Sequence, residues 1–148
     1  MLLGAVLLCL VAAIWAQDGP DWDIWNEPGL RDMNYEINVQ KDQYPVVVYI
    51  KPNCAYADWM FEILRLIDFT EGVDYRKYYL DKSYTGKSLR QTLTRKHHWE
   101  TTPYVYVCGR FIGGADNLRN LAVDGALEEC VTSCTSLSNY CNQVLRSP

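Results

Sequence analysis

The chemistry of the chain centres on the stretch Lys51-Pro52-Asn53-Cys54-Ala55-Tyr56-Ala57. It follows an apolar β-branched run and precedes a helical pattern, so Cys54 is expected where a strand hands over to a helix. A cysteine at a helix N-terminus meets unpaired backbone N–H groups and the positive end of the helix dipole. Both favour the thiolate, which is the nucleophile of disulfide exchange. Lys51 adds a cation, whereas Asp58 opposes the effect with a nearby carboxylate. The plainer reading of the same residue is a buried structural cysteine, a common fate for a free thiol.

The elements around Cys54 must hold it rigidly. Val46-Val47-Val48-Tyr49-Ile50 reads as a strand buried on both faces, introduced by Pro45. Trp59, Met60, Ile63, Leu64 and Ile67 recur at helical spacing between Tyr56 and Asp68. Upstream, Leu30, Met33 and Ile37 suggest a first helix from Leu30 to about Lys41. Downstream, Tyr75–Leu80 reads as a strand and Lys87–Lys96 as a helix built on Leu89 and Leu93. Pro103 then introduces Tyr104–Cys108, Gly109-Arg110 turns into Phe111-Ile112, and Gly113-Gly114 precedes a helix from about Asn117, with a last helix from near Ala126. This order calls for a mixed sheet covered by helices on both faces. The eleven tyrosines are read mainly as strand packing, and His97-His98 as solvated or capping residues near a helix end.

Three separated pieces, VVVYIKPNCAYA (Val46–Ala57), TTPYVYV (Thr101–Val107) and GRFIGGADNL (Gly109–Leu118), resemble in order and spacing the active-site and glutathione-binding motifs of glutaredoxins. The resemblance covers about Leu30 to Cys130. It implies an α/β, thioredoxin-like fold with a mixed four-stranded sheet, and glutathione as co-substrate with no metal. Pro103 would be the cis-proline opposite Cys54, with the Thr102 backbone pairing to the cysteinyl part of glutathione. Gly113 and Gly114 would permit a tight turn before a helix whose N-terminus, with Ala115 and Asp116, takes the γ-glutamyl end. Lys51 would partner the glycyl carboxylate or the thiolate, and Tyr56 would wall the groove.

The departures narrow the expectation. Dithiol glutaredoxins carry Cys-x-x-Cys, but Ala57 stands at the second position, which leaves the monothiol route through a glutathione mixed disulfide. The motif also lacks the Cys-Gly-Phe-Ser form of cluster-holding relatives. Glu100 stands where glutaredoxins often place a basic or amide residue, which weakens attraction for anionic glutathione. The alternative to a glutathione-dependent oxidoreductase is therefore a non-catalytic module of the same fold, binding glutathione or a protein partner.

Composition sets the wider frame. The 148 residues are 49% hydrophobic and 22% charged, which suits one packed domain. A net charge of -4 without a Lys/Arg block argues against nucleic acid as a partner. Met1–Ala16 is an uncharged apolar run ending on small Ala16, the pattern of a cleaved leader, and too short for a stable membrane anchor. Residues 17–29 read as an acidic linker, 30–130 as the glutaredoxin-like domain and 131–148 as a C-terminal cysteine-containing extension. A secreted or secretory-lumen location follows from the leader. With Cys9 in the leader, five cysteines remain, and an odd count sets Cys54 apart from Cys108, Cys130, Cys134 and Cys141. Those four allow three full pairings. Cys134 with Cys141, or Cys108 with one of the other three, is favoured over Cys130 with Cys134, whose i,i+4 spacing on a helix rarely suits a disulfide. A zinc site from Cys130, Cys134, Cys141 and a histidine lacks the paired knuckles such sites use.

Overall fold

The computed structural model describes residues 29–148. The leader and all of the acidic linker up to residue 28 lie outside them. Ten elements follow in order: α1 (Asn34–Gln40), β1 (Val46–Ile50), α2 (Ala55–Leu66), β2 (Tyr75–Tyr79), α3 (Tyr84–His97), β3 (Tyr104–Val107), β4 (Arg110–Gly113), α4 (Ala115–Val123), α5 (Ala126–Val131) and α6 (Asn139–Val144).

The four strands form one sheet in the order β2-β1-β3-β4. β1 pairs in parallel with β2 and antiparallel with β3, and β3 pairs antiparallel with β4. This is the mixed four-stranded, thioredoxin-like architecture that the motif order implies. All five residues of β1 are buried, as a central strand covered on both faces requires. Strand alternation sends Val46, Val48, Ile50, Val105 and Val107 to one face, where they pack with Met60, Leu64, Leu118, Leu127 and Leu145. Val47, Tyr49, Tyr104 and Tyr106 point to the other, against Met33, Ile37, Leu89 and Leu93. The three tyrosines stay in that second core because their hydroxyls are satisfied. Tyr49 donates to Gln40 Oε1 at 2.8 Å, Tyr104 donates to the Trp99 carbonyl at 2.6 Å, and Tyr106 bonds His97 Nε2.

Local chemistry explains where boundaries differ from the sequence expectation. α3 starts three residues early because Ser83 caps it, its side chain accepting from the Gly86 N–H at 3.0 Å. α1 starts at Asn34 rather than Leu30, with the Asp32 carboxylate accepting the Asn34 N–H. The β3–β4 turn is Cys108-Gly109 rather than Gly109-Arg110. Both residues have positive φ, 51° and 74°, the backbone of a two-residue turn that follows sheet twist. His98 takes the left-handed capping conformation at the end of α3, but His97 is not solvated: its ring stacks on Phe111 with centroids 3.9 Å apart.

The disulfides are Cys108–Cys134 and Cys130–Cys141, with Cys54 the free cysteine among the described residues. Cys108 does pair with one of the other three, but Cys134–Cys141 does not form, and the three cysteines of the zinc arrangement are all held in disulfides. α5 ends at Val131, so the chain turns back and carries Cys134 to the hairpin turn. α6, which went unread in the sequence, lays Cys141 and Leu145 into the core beside Cys130.

Candidate active site

Asn53, with φ of 59°, turns the chain out of β1 so that Cys54 becomes the N-cap of α2. An asparagine tolerates this left-handed conformation better than most residues. Cys54 is half-buried, and its carbonyl accepts the Asp58 N–H at 3.1 Å, closing the first helical turn. Ala57, one turn on, is fully buried in the core beneath the helix. The sulfur lies 3.9 Å from Thr102 Oγ1, and the Thr102–Pro103 peptide is cis. The sequence-separated motifs thus meet at one point.

Around that point runs a groove of about 620 Å³. Lys51, Cys54 and Tyr56 form one wall, with Tyr56 70% exposed at the rim. Thr102 and Pro103 form the base, and Gly114, Ala115 and Asp116 bring in the N-terminus of α4. Each candidate site residue therefore lines the same groove. Gly113 has φ of 111°, and a Cβ there would stand 2.5 Å from Asn117 Oδ1. That oxygen accepts the Gly114 N–H at 3.1 Å and secures the turn into α4. A Cβ on Gly114 would lie 3.3 Å from the Trp99 ring, so the glycine permits the close approach of the indole that lines the groove.

Arg90 and Trp99 also line the groove and went unread in the sequence. A single arginine on a polar helix reads as solvated, yet Arg90 is only 7% exposed. Burial lowers its pKa, while Tyr104 opposes the shift. The guanidinium keeps its charge across the working pH range. Burial likewise lowers the Lys51 ammonium, with Arg90 pushing the same way and the Cys54 sulfur pulling it back up. Two adjacent cations therefore sit beside the thiol in partly desolvated surroundings, where an anion is attracted more strongly than in open water. Glu100 also lines the groove and opposes them. A second cavity of about 530 Å³ continues from Lys51 and Arg90 toward Asp81, Lys82 and Lys87.

A thiol on a helix N-cap facing a cis-proline on a four-stranded mixed sheet defines a thioredoxin-fold thiol site. The glutaredoxin family profile matches residues 46–112. A Synechocystis protein described as an uncharacterized monothiol glutaredoxin is 30% identical over 106 residues, covering 66% of this chain and 92% of that one. The chain belongs to the glutaredoxin family, whose chemistry is glutathione-dependent thiol–disulfide exchange. Zebrafish Glutaredoxin 3 is 27% identical over 123 residues, which is 79% of this chain but 36% of that protein. Among solved structures, a buckwheat glutaredoxin in complex with glutathione superposes with a TM-score of 0.59 at 24% identity, covering 70% of this chain and 91% of that one.

Proposed function

We propose that the protein is a monothiol-type glutathione-dependent oxidoreductase that acts on glutathione mixed disulfides through Cys54. The observation that carries this reading is the isolation of one thiol at a helix N-cap in an anion-attracting groove, with buried Ala57 where a resolving cysteine would stand. The Cys54 thiolate attacks the glutathione sulfur of a protein–glutathione disulfide. The protein thiolate leaves and takes up a proton, and Cys54 becomes glutathionylated. The thiolate of a second glutathione then attacks the glutathione sulfur of that adduct, releasing the Cys54 thiolate and glutathione disulfide.

In this reading the Thr102 backbone pairs with the cysteinyl unit, and the N-terminus of α4 at Gly114, Ala115 and Asp116 takes the γ-glutamyl end. Lys51 and Arg90 attract the glycyl carboxylate, and Tyr56 walls the groove. The secretory pathway is the proposed location, supported by the leader-like run Met1–Ala16 and by two disulfides in the described residues. Recovering the chain from culture medium with Gln17 at its N-terminus tests that part.

Glu100 at the groove favours a second reading, a non-catalytic module of the same fold. Turnover of a glutathionylated protein by the wild type and by Cys54→Ser separates the two. Loss of turnover in the variant supports the enzyme, and equal rates refute it. Intact mass after exposure to glutathione disulfide adds an independent check, since absence of a Cys54 adduct removes even glutathione exchange at this thiol.

A further inference from the structure

The two disulfides of the described residues differ in what surrounds them. Cys130 and Cys141 are 1% and 3% exposed and belong to the core with Leu127 and Leu145, so a thiolate reaches their sulfurs only after that core opens. Cys108 and Cys134 are both half-buried. They line a cavity of about 360 Å³ together with Tyr44, Pro45, Val131 and Thr135. That volume is enough for a small molecule. Asp42 stands there too, but its carboxylate is paired with Lys41 Nζ at 3.0 Å, which offsets the charge met by an incoming thiolate.

The backbone around each sulfur differs as well. Cys108 is fixed in the β3–β4 turn, its N–H donating to the Pro45 carbonyl at 2.8 Å. Cys134 sits between α5 and α6 among exposed Thr132, Ser133, Thr135 and Ser136. It also lies inside the 11-residue span that Cys130–Cys141 closes. Opening Cys108–Cys134 therefore frees a short loop whose two ends stay tied to the core. The released Cys134 remains within reach of Cys108, so the bond can form again.

We propose that Cys108–Cys134 is a second redox centre, which exchanges reversibly with small thiols of the glutathione class while Cys130–Cys141 stays closed. A thiolate attacks the Cys134 sulfur and forms a mixed disulfide there, and the Cys108 thiolate leaves and takes up a proton. A second thiolate attacks the small-molecule sulfur of that adduct, releasing a small-molecule disulfide and the Cys134 thiolate, which is protonated in turn. Two small thiols are oxidised and one protein disulfide is reduced, and the reverse steps close it again. The β3–β4 turn is thereby tied to the C-terminal extension or released from it, according to the thiol–disulfide ratio around the protein. None of these steps uses Cys54, so the inference does not rest on the chemistry proposed for that residue.

The test takes the whole chain carrying Cys54→Ser, purified without reductant, and exposes it to reduced glutathione in native buffer. Samples are quenched over time with N-ethylmaleimide, and each cysteine is mapped by peptide mass. Cys108 and Cys134 should be labelled at least about tenfold faster than Cys130 and Cys141, since a local opening costs less free energy than a global one. The transient glutathione adduct should map to Cys134, and added glutathione disulfide should restore the Cys108–Cys134 link. Labelling of all four cysteines at one rate overturns the proposal, because the reactive species is then the unfolded chain. Labelling of Cys130 and Cys141 first overturns it as well. An adduct on Cys108 overturns the assigned route, and a pair that does not re-form overturns the reversibility.

Discussion

Replacing His97 by Gln should make the protein less sensitive to mild acid. His97 is partly buried, stacked on Phe111 and bonded to the Tyr106 hydroxyl. Burial, with a smaller push from Lys96, brings its pKa down from 6.5 to about 4. The folded protein therefore holds the ring neutral while the unfolded chain protonates it below about 6.5. The unfolded state binds the extra proton, so stability falls as pH drops from about 6.5 toward 4 and levels off below that. A shift of that size corresponds to about 2 kcal/mol lost between pH 7.5 and 5. Half that, about 1 kcal/mol, is expected after allowing for the ring's remaining contact with solvent. The assay is urea unfolding of wild type and His97→Gln at pH 7.5 and 5.0. Gln preserves a polar partner for Tyr106 and cannot titrate, and the carboxylates that protonate below pH 5 are common to both proteins. The wild type should lose about 1 kcal/mol more than the variant over this interval. Parallel losses would refute the assignment of a neutral, packed His97.

Other changes probe the site and its supports. Ala57→Cys places a second thiol one helical turn from Cys54. After treatment with glutathione disulfide it should shift the product from the Cys54 adduct to an internal disulfide, read by intact mass. Gly113→Ala imposes a side chain at φ of 111° and against Asn117. It should cost about 1–3 kcal/mol and weaken glutathione binding, measured by thermal melting and titration calorimetry. The Cys130→Ala/Cys141→Ala variant removes a buried tie across 11 residues. It should lose about 3 kcal/mol in urea unfolding, and a loss under about 1 kcal/mol would mean that α6 is held by packing alone.

What was legible in the sequence follows from how each element earns its stability. β1 could be read because a strand buried on both faces needs an unbroken β-branched run, and Val46–Ile50 is one. The candidate residues that line the groove were reached through three motifs whose order and spacing resemble glutaredoxins, and two of them sit where the backbone restricts residue type, Pro103 at a cis peptide and Gly114 against the Trp99 ring. α6 could not, since NYCNQV has no apolar stripe and is held by a disulfide and Leu145 rather than by its own periodicity. Arg90 also escaped, because nothing in a one-dimensional pattern distinguishes a cation turned into a groove from one turned into water. The pairing of Cys108 with Cys134 depended on the helix between Cys130 and Cys134 ending at Val131, and helix ends are the least determined part of any sequence pattern.

The two ends of β1 keep two kinds of sulfur apart. Cys108 is tied to the start of the strand, its N–H donating to the Pro45 carbonyl at 2.8 Å, while Cys54 lies beyond the strand's last residue. Five strand residues at about 3.3 Å each place roughly 15 Å of packed sheet between them. Sulfur–sulfur exchange requires the attacking atom to come into contact along the disulfide axis, so in the folded chain Cys54 has no route to its own cross-links. The sheet works as an insulator: among the described residues the free thiol and the two disulfides are kept from shuffling by a packed strand, and only unfolding would short the circuit.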